Sequence, residues 1–234
     1  MPVITALKPQ QKRRQRLAVF IDGEFFAGVE REVAAELHLK VGDPVEPDDL
    51  ARLLDREEEV RAREKCLTWL SAHGRTRREL QDRLRRLDIR PEIAGRVLDR
   101  LEQAGLLNDH ALAVSLVQDR LRGGEVGRRR LRGELLKRGV ARETVEAALE
   151  ESGAVDGAEA PGMPGAEVPG MLRDEAESCL ELAQRKAKAY RNLPRETGRR
   201  RLAGFLARRG FGPEDIFRAV DRALPGESDE KEQA

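Results

Sequence analysis

The stretch Leu106–Val140, LLNDHALAVSLVQDRLRGGEVGRRRLRGELLKRGV, decides the fold. Asn108 and Asp109 open it as acceptors for the unpaired amides of a first helical turn. Leu112, Leu116, Val117 and Leu121 then line one helical face. Gly123, Gly124 and Gly127 interrupt the pattern. A second helix carries Leu131 and Leu135 inward, with Arg128, Arg129, Arg130, Arg132, Lys137 and Arg138 crowded around it. Gly139 closes that helix as a left-handed cap.

The order of these elements resembles the RecX family, the regulators of the recombinase RecA. The resemblance rests on Leu107-Asn108-Asp109, then Ala113 and Arg120, a glycine-containing gap, Glu134-Leu135, and Arg138-Gly139-Val140. The chain departs from the family pattern at Leu112, where an aromatic residue is usual. The match is fullest over residues 60–150; over 175–224 it is carried mainly by a repeat.

That repeat is read directly from the leucines. Leu80, Leu84 and Ile89 recur as Leu131, Leu135 and Val140, and again as Leu202, Leu206 and Phe211. The first interval is 51 residues and the second 71. The excess of 20 equals the length of Gly153–Leu172, a Gly/Pro/Ala-rich segment with no periodic apolar face that reads as a flexible insertion. Each unit reads as three helices. Thr76 and Glu79 form a capping-box signature ahead of Leu80. Pro91 opens a third helix carrying Ile93, Val97, Leu98 and Leu101, and Pro213 does the same before Ile216, Val220 and Leu224; Val145, Ala148 and Leu149 fill this role in the middle unit. Asp88 stands where the other units have Gly139 and Gly210, a swap that works because Asp visits the left-handed region.

The N-terminal part differs. Residues 3–7 and 16–30 are strand-like, with Asp22-Gly23 as a two-residue hairpin turn and Gln10–Arg16 as a basic loop between strands. Helical spacing returns at Arg31–Leu39, and Pro47 with Asp48 and Asp49 opens a further helix. The expected fold is mainly α: tandem three-helix, helix-turn-helix-like repeats forming an elongated curved chain, preceded by a small hairpin-containing module. The expected divisions are 1–56 for that module, 57–109, 110–152 and 173–225 for the repeats, 153–172 for the linker, and 226–234 for a disordered acidic tail.

Composition argues for thin shared seams rather than one thick core, because 37% of residues are charged and only 3% aromatic. No signal peptide or membrane-spanning apolar run is evident, so a cytoplasmic location is expected. Cys66 and Cys179 occupy matching places in the first helices of two units and read as buried thiols. His38, His73 and His110 have no metal-ligand spacing, and the glycines at 123–127 lack a following Gly-Lys-Ser/Thr. Neither catalysis nor a cofactor is expected.

Charge is the informative signal. Between Arg185 and Arg209 ten basic residues (Arg185, Lys186, Lys188, Arg191, Arg195, Arg199, Arg200, Arg201, Arg208, Arg209) face one acid, Glu196, a local net of +9 in a chain of net +1. Arg130 and Lys137 share one helical face, as do Arg201 and Arg208 at the equivalent positions; the first unit has Glu79 and Arg86 there. A charge run is ordinarily a solvated face. Its repetition at equivalent positions favours a surface for a polyanion or an acidic protein. Phe205, Phe211 and Phe217 are expected in the core, and Tyr190 on the surface as a stacking residue.

The resemblance implies a regulator that binds RecA and the RecA–single-stranded-DNA filament, lies in the filament groove, and blocks its ATPase, strand-exchange and co-protease activities or promotes filament loss; a monomer is expected. The alternative is a sequence-tolerant DNA-binding protein that acts without RecA. Asn and Gln are nearly absent from the basic helices, which points to phosphate contact rather than base reading.

Overall fold

Antiparallel pairing begins earlier in the chain than its charges suggest. The computed structural model describes residues 1–10, 13–154 and 174–225, so most of the expected linker and the whole acidic tail lie outside the described residues. The chain divides into two compact units, one of Met1–Arg75 with Glu79–Leu107, the other of Thr76–Arg78 with the residues from Asn108 onward.

In the first unit β1 (Ile4–Gln10), β2 (Arg13–Ile21) and β3 (Glu24–Glu30) form an antiparallel sheet in that order. Asp22 and Gly23 turn the β2–β3 hairpin at φ 50° and 89°, the doubly positive pair such a turn requires. The expectation of a basic loop from Gln10 to Arg16 is corrected here: Arg13–Arg16 are strand. Arg16 pairs with Glu30 across β3, and its guanidinium meets the carboxylates of Glu30, at 3.1 Å, and Glu57. Two acids from distant elements therefore neutralise a cation that would otherwise keep this segment in water.

Short α1 (Arg31–Glu36) leads to α2 (Pro47–Ala72), opened by Pro47 and by a reciprocal cap between Glu46 and Asp49. α2 runs unbroken through residue 56, where the first division was expected. Its early turns give Leu53 and Val60 to the core under the sheet, with Val19, Val29 and Val33. Its later turns give Ala62 and Cys66 to the next core, with Leu80, Leu84, Ile93, Leu98 and Leu107 from α3 (Arg77–Arg85), α4 (Pro91–Gln103) and the segment after it. On α2 the buried Glu59 gathers Arg56, Arg96 and Arg100 at 2.7, 2.8 and 3.1 Å. Burial pushes its carboxyl up, but the arginine hydrogen bonds and charges outweigh this and hold it below the usual carboxylate range.

The second unit holds α5 (Asp109–Arg122), α6 (Arg128–Lys137), α7 (Arg142–Ala154), α8 (Glu175–Ala187), a 3-10 turn at Lys188–Tyr190, α9 (Arg195–Arg209) and α10 (Pro213–Ala223). α5–α7 enclose one core and α8–α10 another. The repeat is visible atom by atom. Leu80, Leu84 and Ile89, then Leu131, Leu135 and Val140, then Leu202, Leu206 and Phe211 are all buried. Each such leucine stabilises the fold by about 1.5–3 kcal/mol relative to an exposed one. Asp88, Gly139 and Gly210 all have positive φ, at 56°, 83° and 91°. Behind each, the amide of Ile89, Val140 or Phe211 donates to the carbonyl five residues earlier. Cys66 and Cys179 are buried and unbonded, and burial pushes their thiols up to about 11 and about 12.

Two aromatic expectations reverse. Tyr190 is half-buried against the third core, with the Lys186 ammonium 5.9 Å from its ring centre. Phe217 is 70% exposed. α10 turns Ala219 inward, and two residues of helix, about 200°, put Phe217 on the opposite side.

Candidate nucleic-acid and partner surface

The two basic helices α6 and α9 meet end to end. The amide of Gly127 donates to the carbonyl of Arg209 at 2.9 Å, and that of Arg129 to the carbonyl of Gly210 at 3.2 Å. The last carbonyls of α9 thus fill the first amides of α6, and the two dipoles run head to tail. The approach requires glycine on both sides: a Cβ on Gly127 would lie 2.4 Å from the Gly210 oxygen, and one on Gly210 2.4 Å from the Arg130 Cβ. Between them, the Arg128 amide donates to Glu175 Oε1 at 3.0 Å.

The start of α3 repeats this joint. Thr76 Oγ1 donates to the Arg138 carbonyl at 2.7 Å, the Arg77 amide to Asp109 Oδ1 at 2.8 Å, and Gly139 lies against the Arg78 side chain. Thr76 and Gly127 are 51 residues apart, the spacing of the repeat itself.

These contacts explain the residues behind the family resemblance. Leu107, Ala113 and Leu135 are core residues. Asn108 caps its own helix by accepting from the Ala111 amide. Asp109 caps a different one, α3. Arg120 and Glu134 pair across the α5–α6 turn at 3.6 Å, and Gly139 supplies the left-handed cap. The signature holds helices together rather than presenting chemistry.

The expected contact residues fall into two sets. Arg128 is held by Glu175 and the Leu149 carbonyl. Arg132 makes a bidentate pair with Glu146 at 2.7 Å for each bond, which holds the Glu146 carboxyl below its usual range. Arg199 binds Asp221 and the Leu224 carbonyl. Arg209 reaches Glu125 at 3.3 Å and lies over Phe205, which Lys186 also faces. Arg138 is half-buried and partnered. Arg130 sits at the joint, its Nη1 3.5 Å from the Arg208 carbonyl. By contrast, the charged ends of Arg129, Lys137, Arg185, Lys188, Arg191, Arg200, Arg201 and Arg208 make no ion pair or hydrogen bond among the described residues, and all eight residues are exposed. Arg185 and Lys188 also border a 460 Å³ pocket with Arg122 and the Gly123-Gly124 turn. Arg122, which is not among the expected contact residues, pairs with Asp119 at 3.7 Å.

Among the described residues no His, Cys, Asp and Glu group is arranged to hold a metal ion, and no helix is long and apolar enough to cross a membrane.

Four family models match in chain order: the regulatory protein RecX N-terminal domain at residues 2–46, and the RecX first, second and third three-helix domains at 62–101, 108–149 and 173–220. The chain belongs to the RecX family. A regulatory protein RecX of Streptomyces lividans is 35% identical over 177 residues, covering 76% of this chain and 85% of the relative. A regulatory protein RecX of Clostridioides difficile strain 630 is 24% identical over 224 residues, covering 96% and 97%. Among solved structures, a crystal structure of regulatory protein RecX superposes with a TM-score of 0.69 at 21% identity, over 95% of this chain and all of that one. RecX from Lactobacillus salivarius superposes with a TM-score of 0.58 at 21% identity, over 72% of this chain and 97% of that one. This RecX-family chain therefore shares both fold and family with named regulatory proteins, and its three-helix units are the family's own.

Proposed function

We propose that the chain binds the RecA–single-stranded-DNA filament and lowers its ATPase, strand-exchange and co-protease activities, as a regulator rather than a catalyst. The observation that carries this reading is the joint at Gly127 and Gly210 in a RecX-family chain. It sets the Arg130 guanidinium at the Arg208 carbonyl, where the basic helices α6 and α9 meet, and Lys137, Arg201 and Arg208 are left without internal partners. Such side chains suit a backbone of phosphates and carry no base code. DNA affinity is then salt-sensitive and sequence-tolerant, and it contributes to filament binding. The test is a titration of RecA's DNA-dependent ATPase. Inhibition at substoichiometric ratios supports the reading; unchanged ATPase while the protein sediments with the filament overturns it.

A further inference from the structure

A trough of about 640 Å³ lies between α9 and α10. Its floor is Ala203, Gly204 and Ala207 of α9, small residues on adjoining turns that let another backbone come close. Ile216 and Val220 form the far wall, over buried Phe211. Phe217 stands at the edge, 70% exposed. Arg129 and Arg200 border the same trough, and neither guanidinium has an ion-pair partner among the described residues. The third arginine there, Arg199, is committed to Asp221.

We propose that this trough is a docking site for a helix of the filament's protein component, with apolar anchors one turn apart and acidic residues beside them. The inference rests on the reading that the chain binds that filament. Two features select a protein helix over nucleic acid. Apart from its arginines the lining is aliphatic, and a single exposed ring makes no platform for successive bases. A row of apolar side chains at helical spacing fills such a trough instead. The charge complement selects acids: carboxylates flanking the anchors meet Arg129 and Arg200, which sets the register of docking. Phe217 is then the anchor that the free chain leaves in water, as exposed aromatic residues at interfaces commonly are.

The test replaces Phe217 with the photo-crosslinker p-benzoyl-phenylalanine in the full chain and irradiates it on assembled RecA–single-stranded-DNA filaments. The expected adduct joins position 217 to a RecA helix bearing acidic residues. Two further variants, Phe217→Ser and Ala207→Trp, lie at exposed positions and leave the charge unchanged. Each should weaken filament binding about tenfold while leaving naked-oligonucleotide binding unchanged. Adducts with DNA, with a second copy of the chain, or with nothing while the protein sediments with filaments would overturn the docking site alone. So would full filament affinity in both variants. A folded chain that does not sediment with filaments at all would overturn the functional reading, and this inference with it.

Discussion

The carboxylate of Glu175 sits on the amide of Arg128, joining the first residue of α8 to the first residue of α6 across 47 positions of sequence. Asp109 does the same for Arg77 across 32 positions. In both cases an acid that opens one helix caps another.

Glu175 makes that joint pH-dependent. Burial, the largest influence, pushes its carboxyl above the usual range, with Asp215 and Asp174 adding to it against the Arg128 hydrogen bond and charge. The folded protein then binds a proton that the unfolded chain releases. This contribution to stability is greatest below the ordinary carboxylate range and is lost as pH rises through the raised value. Glu59 and Glu146 act in the opposite sense, at lower pH, because their values are depressed. Thermal unfolding followed from neutral pH down toward the ordinary carboxylate range should favour the native chain increasingly over Glu175→Gln as pH falls.

Gly127→Ala tests the steric side of the joint. Its backbone is ordinary at φ −84°, so the cost comes only from the Cβ driven into Gly210. A loss of about 1–3 kcal/mol is expected. Limited proteolysis should then release the 174–225 segment faster than from the native chain, with the α5–α7 core still protected.

Arg16→Ala leaves Glu30 and Glu57 facing each other with side chains only 13% and 11% exposed. Removing one partner from a buried ionic group costs about 3–5 kcal/mol. Denaturant unfolding should show that loss. Arg16→Met together with Glu30→Gln and Glu57→Gln should recover part of it, because no buried charge is left unpaired and residue 57 can still accept from the residue 30 amide.

The paired and unpaired arginines should differ on DNA. Lys137→Glu and Arg201→Glu should each flatten the slope of log affinity against log salt by roughly 0.7 on single strands. Arg132→Ala should leave that slope unchanged, since its guanidinium is already held by Glu146. Equal effects from all three would mean that the internal pair opens on binding.

The repeat was legible because it rests on local rules: leucine spacing, and left-handed positions that Asp88, Gly139 and Gly210 all take. The hairpin at Asp22-Gly23 was legible for the same reason. What could not be read depends on partners far away in sequence. Arg13–Arg16 looks like a loop until Glu30 and Glu57 are placed beside Arg16. Asp109 looks like a cap for its own helix until Arg77 is brought to it. Phe217 looks like core because its spacing matches Val220, and only the packing of α10 shows which side faces out. Charge runs gave the basic region, but not which arginines are already occupied.

Co-sedimentation with RecA–single-stranded-DNA filaments beside naked single-stranded DNA, over one salt series, separates filament binding from DNA binding. The chain should stay on filaments at salt concentrations that release it from naked DNA, because protein contacts add to phosphate contacts. Identical salt curves on the two, or release from DNA once RecA coats it, would contradict it.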